Sequence, residues 1–486
     1  MKLRNVMAFG LVALTVTMAG CSSNNNGNNA SNSASSQAPA SASASPTESA
    51  SAPASETTKP AGPVDILVVA PDPNNKVAVA AFDDKLARFK TAYPNVTVKT
   101  TDWQYNPNEI GIKMASGDAP TVYGAFATDG NFLASKGWIA DLGDILENYP
   151  HKDDFNPILT SAYTIGGKVY GIPDSGYVIG VAINKKLLDD KGIALPSMDW
   201  TWDDFANIAK QVSDKSKGIA GIAVMGKGNE AGWGYTSFLY GAGGEVETVA
   251  DGKVKAAFNG AAGKQALDFY KKLQWEDQAF PISWSLDWSG AVGAFTQGSA
   301  AMVYVGPSDA INQALNNGNW KLDDFVVYPM PAAQAGGQHV GVLGGSFGVI
   351  NANATPEQKQ AAFDWTTFDY FKDQGLQATE DLVKQQKDQG KFYVQGQLNY
   401  YKNDSDYGKQ MSAIYDKYDN VWKYDPQYYD YAVGKPEAQY EAQAYYGAMT
   451  VAVQAVLSNK NADTQKLLDT AAAKVQSESF DKVAVQ

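Results

Sequence analysis

VDILVVAPDPNNKVAVAAFDDKLARFKTAYPNVTV, residues 64–98, is the stretch that decides the class of the fold. Its first seven residues are almost all apolar, as in strands that are buried on both faces. Phe82, Leu86 and Phe89 then recur at helical spacing, and a second valine-rich strand follows the turn at Pro94. The stretch therefore predicts a strand–helix–strand unit, the building block of an α/β fold.

The same alternation of strands and helices continues along the chain. Thr201 and Asp204 form a capping box, in which each side chain bonds the other residue's backbone amide, so a helix is expected to begin there. Further strands are predicted at 121–126, 300–305, 325–328 and 342–350, a hairpin at 165–172, and helices at 263–273, 290–295 and 356–371.

Composition narrows the classes of function. The 486 residues exceed the usual size of one domain, so more than one domain is expected. A formal charge of −13 would repel a polyanion, which argues against a nucleic-acid partner. One Cys excludes intramolecular disulfides, and only two His argue against a His-rich metal centre. No phosphate-binding glycine motif is present, so we expect neither cofactor nor metal, although oxygen ligands for calcium stay open.

The N-terminus is predicted to be a signal peptide, residues 1–20. Lys2 and Arg4 precede an apolar run that is too short to span a bilayer, and small residues lead to Cys21. Met18-Ala19-Gly20-Cys21 resembles the bacterial lipobox, which implies a lipidated Cys21 and an extracytoplasmic protein held at the cell membrane through its lipid anchor only. The alternative is an ordinary secretory signal followed by a stray cysteine.

A low-complexity tract follows the predicted lipidation site. Residues 22–63 contain no Val, Ile, Leu, Met or aromatic side chain, so they cannot build a core. We therefore expect residues 21–63 to be a disordered tether between the lipid anchor and the folded part of the chain.

Several segments, taken in order, resemble the extracellular solute-binding proteins of ABC importers, the family that includes maltodextrin-binding proteins. Each segment alone is unspecific, and their order carries the resemblance. The segments are KMASGDAPTVY (113–123), WIADL (138–142), GKVYGIP (167–173), NKKL (184–187), WDDF (202–205), GG (243–244), AFTQGSAAM (294–302) with GP (306–307), and GGS (344–346).

The resemblance implies an α/β, two-lobed periplasmic-binding-protein-like fold with a hinge and an interlobe ligand cleft. It implies hinge crossings near Asp174 to Ile179 and near Pro331 to Val340. It also predicts the division of the chain: an N-terminal lobe of residues 64–175 and 341–390, a C-terminal lobe of residues 176–340, and a Tyr-rich helical part, residues 391–486, that packs on the lobes.

A carbohydrate site needs amides and carboxylates for the hydroxyls of the sugar and aromatic rings for its C–H faces. Trp284, Asp287 and Trp288 form the sharpest candidate, because two indole rings in a polar loop would expose apolar surface unless a ligand covered them. The alternatives are that a given Trp packs in the core and that the acids are solvated loop residues. The other candidates are Trp103, Phe126, Asp129, Asp174, Tyr177, Glu230, Trp233, Ser346 and Trp422.

The family resemblance adds to some of these candidates. It implies that Asp129 bonds a sugar hydroxyl and that Glu230 and Trp233 belong to a ligand-contacting loop. Ser308 departs from the family pattern, because many members have a Trp at that position. The stretch 392–446 holds 13 of the 26 Tyr and either packs helices together or borders the cleft.

These observations favour a monomeric binding protein that captures a carbohydrate, with an oligosaccharide as the first candidate, and delivers it to an ABC permease without any chemistry. Two alternatives stay open. One is a secreted, membrane-tethered glycoside hydrolase that uses a carboxylate pair. The other is a sensory sugar-binding protein whose partner is a receptor.

The lipobox leads to a prediction about localisation. Replacing Cys21 by Ala removes the thiol that would carry the lipid, so the variant should move from the membrane fraction to the soluble fraction. Cell fractionation followed by immunoblotting measures this. A control that deletes part of the tether between Ser31 and Ser55 should stay with the membrane, and a Cys21→Ala variant that also stayed there would contradict the lipobox interpretation.

Overall fold

The computed structural model describes residues 62–73, 76–107, 109–483 and 485. The predicted signal peptide, Cys21 and nearly all of the predicted tether lie outside the described residues. No helix in the described part of the chain combines the length and the apolar composition that a membrane span requires.

Seventeen strands occur in the described residues. In chain order they are β1 (Val64–Val69), β2 (Val96–Thr101), β3 (Val122–Phe126), β4 (Thr164–Ile165), β5 (Lys168–Val169), β6 (Gly171–Val178), β7 (Gly180–Asn184), β8 (Ala220–Ala223), β9 (Glu247–Ala250), β10 (Lys253–Ala256), β11 (Ala300–Val305), β12 (Phe325–Pro329), β13 (His339–Ile350), β14 (Tyr393–Val394), β15 (Leu398–Asn399), β16 (Val421–Trp422) and β17 (Ala432–Pro436).

Seventeen α-helices alternate with these strands in the same described residues. They are α1 (Lys76–Ala92), α2 (Ile110–Ser116), α3 (Gly130–Ser135), α4 (Gly143–Glu147), α5 (Pro157–Ala162), α6 (Lys185–Asp189), α7 (Trp202–Val212), α8 (Asn229–Gly241), α9 (Ala261–Trp275), α10 (Trp288–Thr296), α11 (Pro307–Asn317), α12 (Pro356–Thr366), α13 (Asp373–Asp388), α14 (Asp406–Asp416), α15 (Pro426–Tyr431), α16 (Ala442–Ser458) and α17 (Thr464–Glu478).

The strand–helix–strand unit predicted from residues 64–98 opens the sheet of the N lobe. Strands β1 and β2 pair in parallel with Val64 opposite Val96, and β3 joins β1 on its other side. The seven-stranded sheet has the order β15-β6-β13-β3-β1-β2, and β17 also pairs with β13. The predicted α/β class is therefore confirmed.

A second sheet forms the C lobe. Its four strands have the order β12-β7-β11-β8, in which β8 and β11 are parallel and β7 is antiparallel to both of its neighbours. The capping box predicted at the start of α7 is present: Thr201 Oγ1 accepts the Asp204 N–H (3.3 Å), and Asp204 Oδ2 accepts the Thr201 N–H (2.8 Å).

The two sheets are joined by neighbouring strands that form the hinge. A single residue, Ile179, separates β6 in the N-lobe sheet from β7 in the C-lobe sheet, and its N–H donates to Val342 O of β13 (2.9 Å). The chain returns from the C lobe between Pro329, the end of β12, and His339, the start of β13. The chain crosses once more between α14, which packs in the N-lobe core, and α16, which packs in the C-lobe core, so rotation between the lobes involves three connections.

The last part of the chain divides between the lobes. Tyr407 and Met411 of α14 are buried in the N-lobe core with the residues of β1 and α12. Tyr445 and Met449 of α16 are buried in the C-lobe core, where α16 packs on α8, α9 and α17. The Tyr-rich stretch thus supplies core residues to both lobes.

Close packing at the hinge leads to a stability prediction. A Cβ at Gly341 of β13 would lie 2.1 Å from Ile179 O and 2.9 Å from Val178 Cγ1, and the backbone oxygen cannot swing away as a side chain can. Gly341→Ala should lower the free energy of unfolding by about 1 to 3 kcal/mol, measured by urea denaturation.

Gly293→Ala in α10 is the matched control for that substitution. The nearest atom to a Cβ at Gly293 is Gln297 Nε2 at 3.9 Å, so there is room for the methyl group. Because Ala favours a helix over Gly by about 1 kcal/mol, this variant should be as stable as the wild type or more stable. Equal unfolding energies for the two variants would contradict the packing argument.

Candidate functional site

Ends of strands from both lobes meet beside the hinge. Val305, at the carboxyl end of β11, pairs with Gly180, the first residue of β7 after the hinge. From the N lobe, β3 ends at Phe126, which pairs with Ser346 of the hinge strand β13. Open α/β sheets bind their ligands at such carboxyl strand ends, so the cleft between the lobes is the candidate site.

The N-lobe wall of the cleft contains a buried acid, Asp129, which is 5% exposed. Tyr105 Oη donates to Asp129 Oδ2 (2.7 Å), and Thr128 Oγ1 donates to Oδ1 (2.8 Å). Burial raises the pKa of Asp129, and these two hydrogen bonds lower it. Phe126, with 51% of its surface exposed, packs edge-to-face on Tyr105 at 5.5 Å and presents an apolar ring next to the acid.

Trp103 lies in the loop after β2 and is half-buried. Its indole N–H donates to Glu109 Oε2 (2.9 Å), and its ring meets Tyr123 edge-to-face at 6.2 Å. The polar edge of Trp103 is therefore already used by Glu109, so only its ring remains for a ligand.

The hinge side of the cleft carries a pair of aromatic rings. Tyr177 of β6 and Trp233 of α8 meet edge-to-face with centroids 6.3 Å apart. Gly306 and Gly344 make room for the Tyr177 ring, because a Cβ at Gly344 would lie 2.4 Å from Tyr177 Oη. Both rings are half-buried, so each is packed on one side and accessible on the other.

Glu437, which follows β17, is a buried carboxylate that the sequence analysis did not single out. It is 8% exposed, and Tyr446 Oη donates to its Oε2. Burial raises the pKa of Glu437 to about 7, the hydrogen bonds from Tyr446 and Trp233 lower it, and the charge of Asp129 raises it further. Glu437 is therefore next to Trp233 and close enough to Asp129 for the two charges to interact.

A second acid that the sequence analysis missed, Asp309, lies in the first turn of α11. Burial raises the pKa of Asp309 to about 6, and its charge contributes to raising the pKa of Tyr177. The neighbouring Ser308, where many family members have Trp, donates to Gln395 O (3.1 Å) and bonds Tyr424 Oη (2.8 Å). The C-terminal part of the chain therefore occupies the space beside Ser308.

The walls touch across the cleft in this conformation. Asn131 of α3, in the N lobe, donates from Nδ2 to Gln439 Oε1, two residues after Glu437. The backbone N–H of Gln439 donates in turn to Glu247 Oε1 of β9 (2.7 Å). This chain of bonds runs from the N lobe through the segment after β17 to the C lobe.

Trp284 and Trp288 lie at the hinge edge of the C lobe. The segment that contains them is joined to the end of β8 by a bridge between Met225 and Leu286. A Cβ at Gly226 would lie 2.8 Å from the Trp284 ring, so the indole is held against this loop. Both Trp are half-buried and pack on the C-lobe core, which leaves part of each ring accessible.

Asp287, between these two Trp, has both oxygens engaged. Oδ1 accepts the Gly290 N–H (2.8 Å) and so caps α10, and Oδ2 pairs with Lys227 Nζ (2.9 Å). The Lys227 hydrogen bond, followed by that of Gly290, lowers the pKa of Asp287. The carboxylate therefore caps and orients the helix that begins at Trp288.

Three further candidates, Glu230, Ser346 and Asp174, lie on elements that border the cleft. Glu230 is half-buried in the first turn of α8, one turn before Trp233. Ser346 lies at a β-bulge in β13, between Phe126 and Ser175. Asp174 of β6 accepts Tyr370 Oη (3.3 Å), and burial raises its pKa to about 6.

Trp422 lies away from the other candidates. Its ring packs on Phe325 at 5.8 Å and on Tyr424 at 4.7 Å. Phe325 pairs with Asn184, at the end of β7 that is far from the hinge. Trp422 therefore covers the edge strand of the C-lobe sheet, and the Tyr-rich stretch reaches the cleft through Glu437 and Tyr446.

No group of three or more His, Cys, Asp or Glu among the described residues has a geometry that could hold a metal ion. The arrangement in the cleft offers aromatic rings, carboxylates and amides, which is the chemistry of recognition of a hydroxyl-rich ligand.

Comparison with known proteins identifies relatives. The model of a family described as bacterial extracellular solute-binding protein matches residues 72–369, more than half of the chain. The erythritol/L-threitol-binding protein of Mycolicibacterium smegmatis is 28% identical over 224 residues, 41% of this chain and 45% of that protein. The melibiose/raffinose/stachyose-binding protein of Bacillus subtilis is 34% identical over 112 residues, 23% of this chain and 24% of that protein.

The chain thus spans less than half the length of these curated relatives. A solved structure, in contrast, is covered over almost its whole length. The cyclic alpha-maltosyl-1,6-maltose binding protein from Arthrobacter globiformis superposes with a TM-score of 0.64 at 20% identity, covering 86% of this chain and 99% of that chain. At this identity the likeness shows the fold, and it confirms the predicted two-lobed periplasmic-binding-protein-like architecture.

The buried Glu437 leads to a prediction about pH. The pKa of Glu437 is about 7 in the folded chain, against an ordinary value of 4.5. Between these two pH values the folded state keeps the carboxyl proton and the unfolded state loses it, so the free energy of unfolding falls as the pH rises. Glu437→Gln removes this loss. The difference in free energy of unfolding between this variant and the wild type should increase by about 3 kcal/mol in favour of the variant between about pH 4.5 and pH 7. Above pH 7 the difference should stay constant. Urea denaturation at several pH values measures this, and parallel profiles would contradict the burial of an ionisable Glu437.

Proposed function

The chain belongs to the bacterial extracellular solute-binding protein family, and from this membership we propose that it captures a carbohydrate between its lobes and delivers it to the permease of an ABC importer. Family members bind their ligands and do not transform them, so the chain is a binding protein and not an enzyme. The family also makes it extracytoplasmic.

The observation that carries the proposal is the composition of the cleft. The rings of Tyr177 and Trp233 offer apolar faces to the C–H groups of a sugar. Glu437 next to Trp233 and Asp129 next to Tyr105 offer carboxylate oxygens, and oxygens of this kind accept hydrogen bonds from sugar hydroxyls. The two kinds of group come from both lobes, so a ligand that used them all would be enclosed.

The relatives support the carbohydrate class. One is named for the polyols erythritol and L-threitol, another for the oligosaccharides melibiose, raffinose and stachyose, and the solved structure for a cyclic maltosyl sugar. These ligands differ in size but share closely spaced hydroxyl groups. We propose a ligand of this class for the present chain, with an oligosaccharide as the first candidate.

Capture follows from the hinge. A ligand that bonds Asp129 on one wall and Glu437 on the other stabilises the closed arrangement over the open one, because only the closed arrangement has both sets of contacts. The bond between Asn131 and Gln439 crosses the cleft at the same place and would have to break for the lobes to open. The permease would then recognise the closed form.

Among the sequence-predicted residues, we propose that those around Tyr177 contact the ligand directly and that Trp284 and Trp288 border the entrance. Asp287 serves chiefly to orient the helix that begins at Trp288, and Trp422 supports the C-lobe sheet. The proposed contact set is Phe126, Asp129, Tyr177, Trp233, Ser346 and Glu437, with Trp103, Asp174, Glu230, Trp284 and Trp288 around it.

The attachment to the membrane is proposed from the N-terminal sequence. Cys21 would carry the lipid, residues 21–63 would form the tether, and the folded part would act as a monomer that meets the permease at the membrane surface.

The test begins with a thermal-shift screen against sugars and polyols, followed by calorimetric titration of the best ligand. Trp233→Ala removes a stacking ring and should weaken binding by about 5-fold to 150-fold, which corresponds to about 1 to 3 kcal/mol for stacking on a planar face. Trp422→Ala is the matched control, because that ring packs away from the cleft, so it should lower the melting temperature and leave the affinity unchanged.

Three results would contradict the proposal. One is the absence of any ligand in a broad glycan panel. Another is an unchanged affinity in Trp233→Ala together with a lowered affinity in Trp422→Ala. The third is the release of smaller sugars during incubation, which the hydrolase alternative requires and a binding protein cannot produce.

A further inference from the structure

A second cavity, of about 680 Å³, lies in the C lobe between α6 and the carboxyl-terminal ends of α10 and α11. Strand β7 runs from Gly180 at the hinge to Asn184 in this cavity, a distance of about 13 Å. The cavity is therefore at the opposite edge of the C-lobe sheet from the cleft. We call it the distal pocket, and its lining includes Asn184, Lys186, Asp190, Thr296, Gln313 and Trp320.

One polar atom in the lining of the distal pocket, Thr296 Oγ1, is buried without a hydrogen-bond partner among the described residues. Asn184 lies in the same lining, is 4% exposed, and accepts the Leu187 N–H with its Oδ1 (3.2 Å), which orients its amide. Buried polar atoms without partners are rare in folded proteins because each one costs free energy, so a ligand hydroxyl that reached Thr296 Oγ1 would remove that cost.

The pocket also has an aromatic wall. Trp320 donates its indole N–H to Thr296 O (2.9 Å) and packs on Phe295 at 5.0 Å, which fixes the orientation of the ring. The ring remains half-buried, so part of it faces the pocket. A fixed indole beside hydroxyl and amide groups matches the two kinds of surface that a sugar or a sugar alcohol presents.

Charge narrows the class of ligand. Lys186 and Asp190 contribute one charge of each sign to the lining, so neither an anion nor a cation is favoured by the net charge. The amide of Gln313 adds another donor and acceptor without charge. The matching ligand is neutral and rich in hydroxyl groups.

We propose that the distal pocket is a second binding site, for a neutral polyhydroxylated ligand such as a monosaccharide or a sugar alcohol. It lies on one lobe, away from the hinge, so it binds without closure and does not rest on the proposed function of the cleft. A site that closure does not complete encloses less of its ligand, and its dissociation constant should lie in the millimolar range.

The experiment uses the full folded chain labelled with 5-fluorotryptophan and observed by fluorine NMR. The Trp320 resonance is assigned by its absence from a Trp320→Phe variant, and D-mannitol and D-glucose are titrated through the millimolar range. The Trp320 resonance should shift saturably in the wild type and with the same dissociation constant in Trp233→Ala, in which the cleft is impaired. Gln313→Ala should weaken the binding by about fivefold, as expected for the loss of one hydrogen bond.

Gln410→Ala on α14 is the matched control, because Gln410 is exposed and its amide donates to Asp406 O within its own helix. It should leave the titration of Trp320 unchanged. The proposal is overturned if Trp320 does not respond to either probe, if its response disappears in Trp233→Ala and so reports closure of the cleft, or if Gln313→Ala and Gln410→Ala titrate alike. A chain whose cleft binds no sugar would still show the Trp320 response, so failure of the proposed function is distinguishable.

Discussion

The pairing of the β6–β7 segment with β13 is the constraint on which the rest of the structure depends. Strands β6 and β13 belong to the N-lobe sheet and β7 belongs to the C-lobe sheet. The hydrogen bond from the Ile179 N–H to Val342 O joins the two segments at the boundary between the sheets. Gly341 lets the two backbones approach there more closely than a side chain would permit. Each lobe has its own hydrophobic core, so a rotation at the hinge can leave the packing inside each lobe unchanged.

The C-terminal part of the chain braces this hinge from outside. Gln397, which is 2% exposed, accepts the Val178 N–H (2.5 Å) and donates to Tyr428 Oη (2.5 Å). Two residues earlier, Gln395 O accepts the hydroxyl of Ser308 in the C lobe, and directly after Gln397 strand β15 pairs with β6 in the N lobe. One short segment thus bonds both lobes and the hinge strand, which limits the range of angles between the lobes.

The cleft contains three buried acids. Asp129, Glu437 and Asp309 all have raised pKa values because burial disfavours their charged forms. Folding alone would favour uncharged side chains at such positions. Their oxygens are, however, strong acceptors for hydroxyl groups, so the proposed sugar site would keep these acids in spite of their cost for stability.

The sequence by itself determined the features that depend on near neighbours: the periodicity of β1 and α1, the capping box at Thr201, and the ordered motifs that indicated the family. Only the tertiary structure decided which side chains form the site. Glu437 lies beside Trp233 although 204 positions separate them, and it falls beyond the segment that matches the family. Asp287 was predicted from the sequence as a ligand contact, and only the structure shows that its second oxygen pairs with Lys227. Burial, pKa and free hydrogen-bonding capacity are set by long-range packing, which local spacing along a chain does not encode.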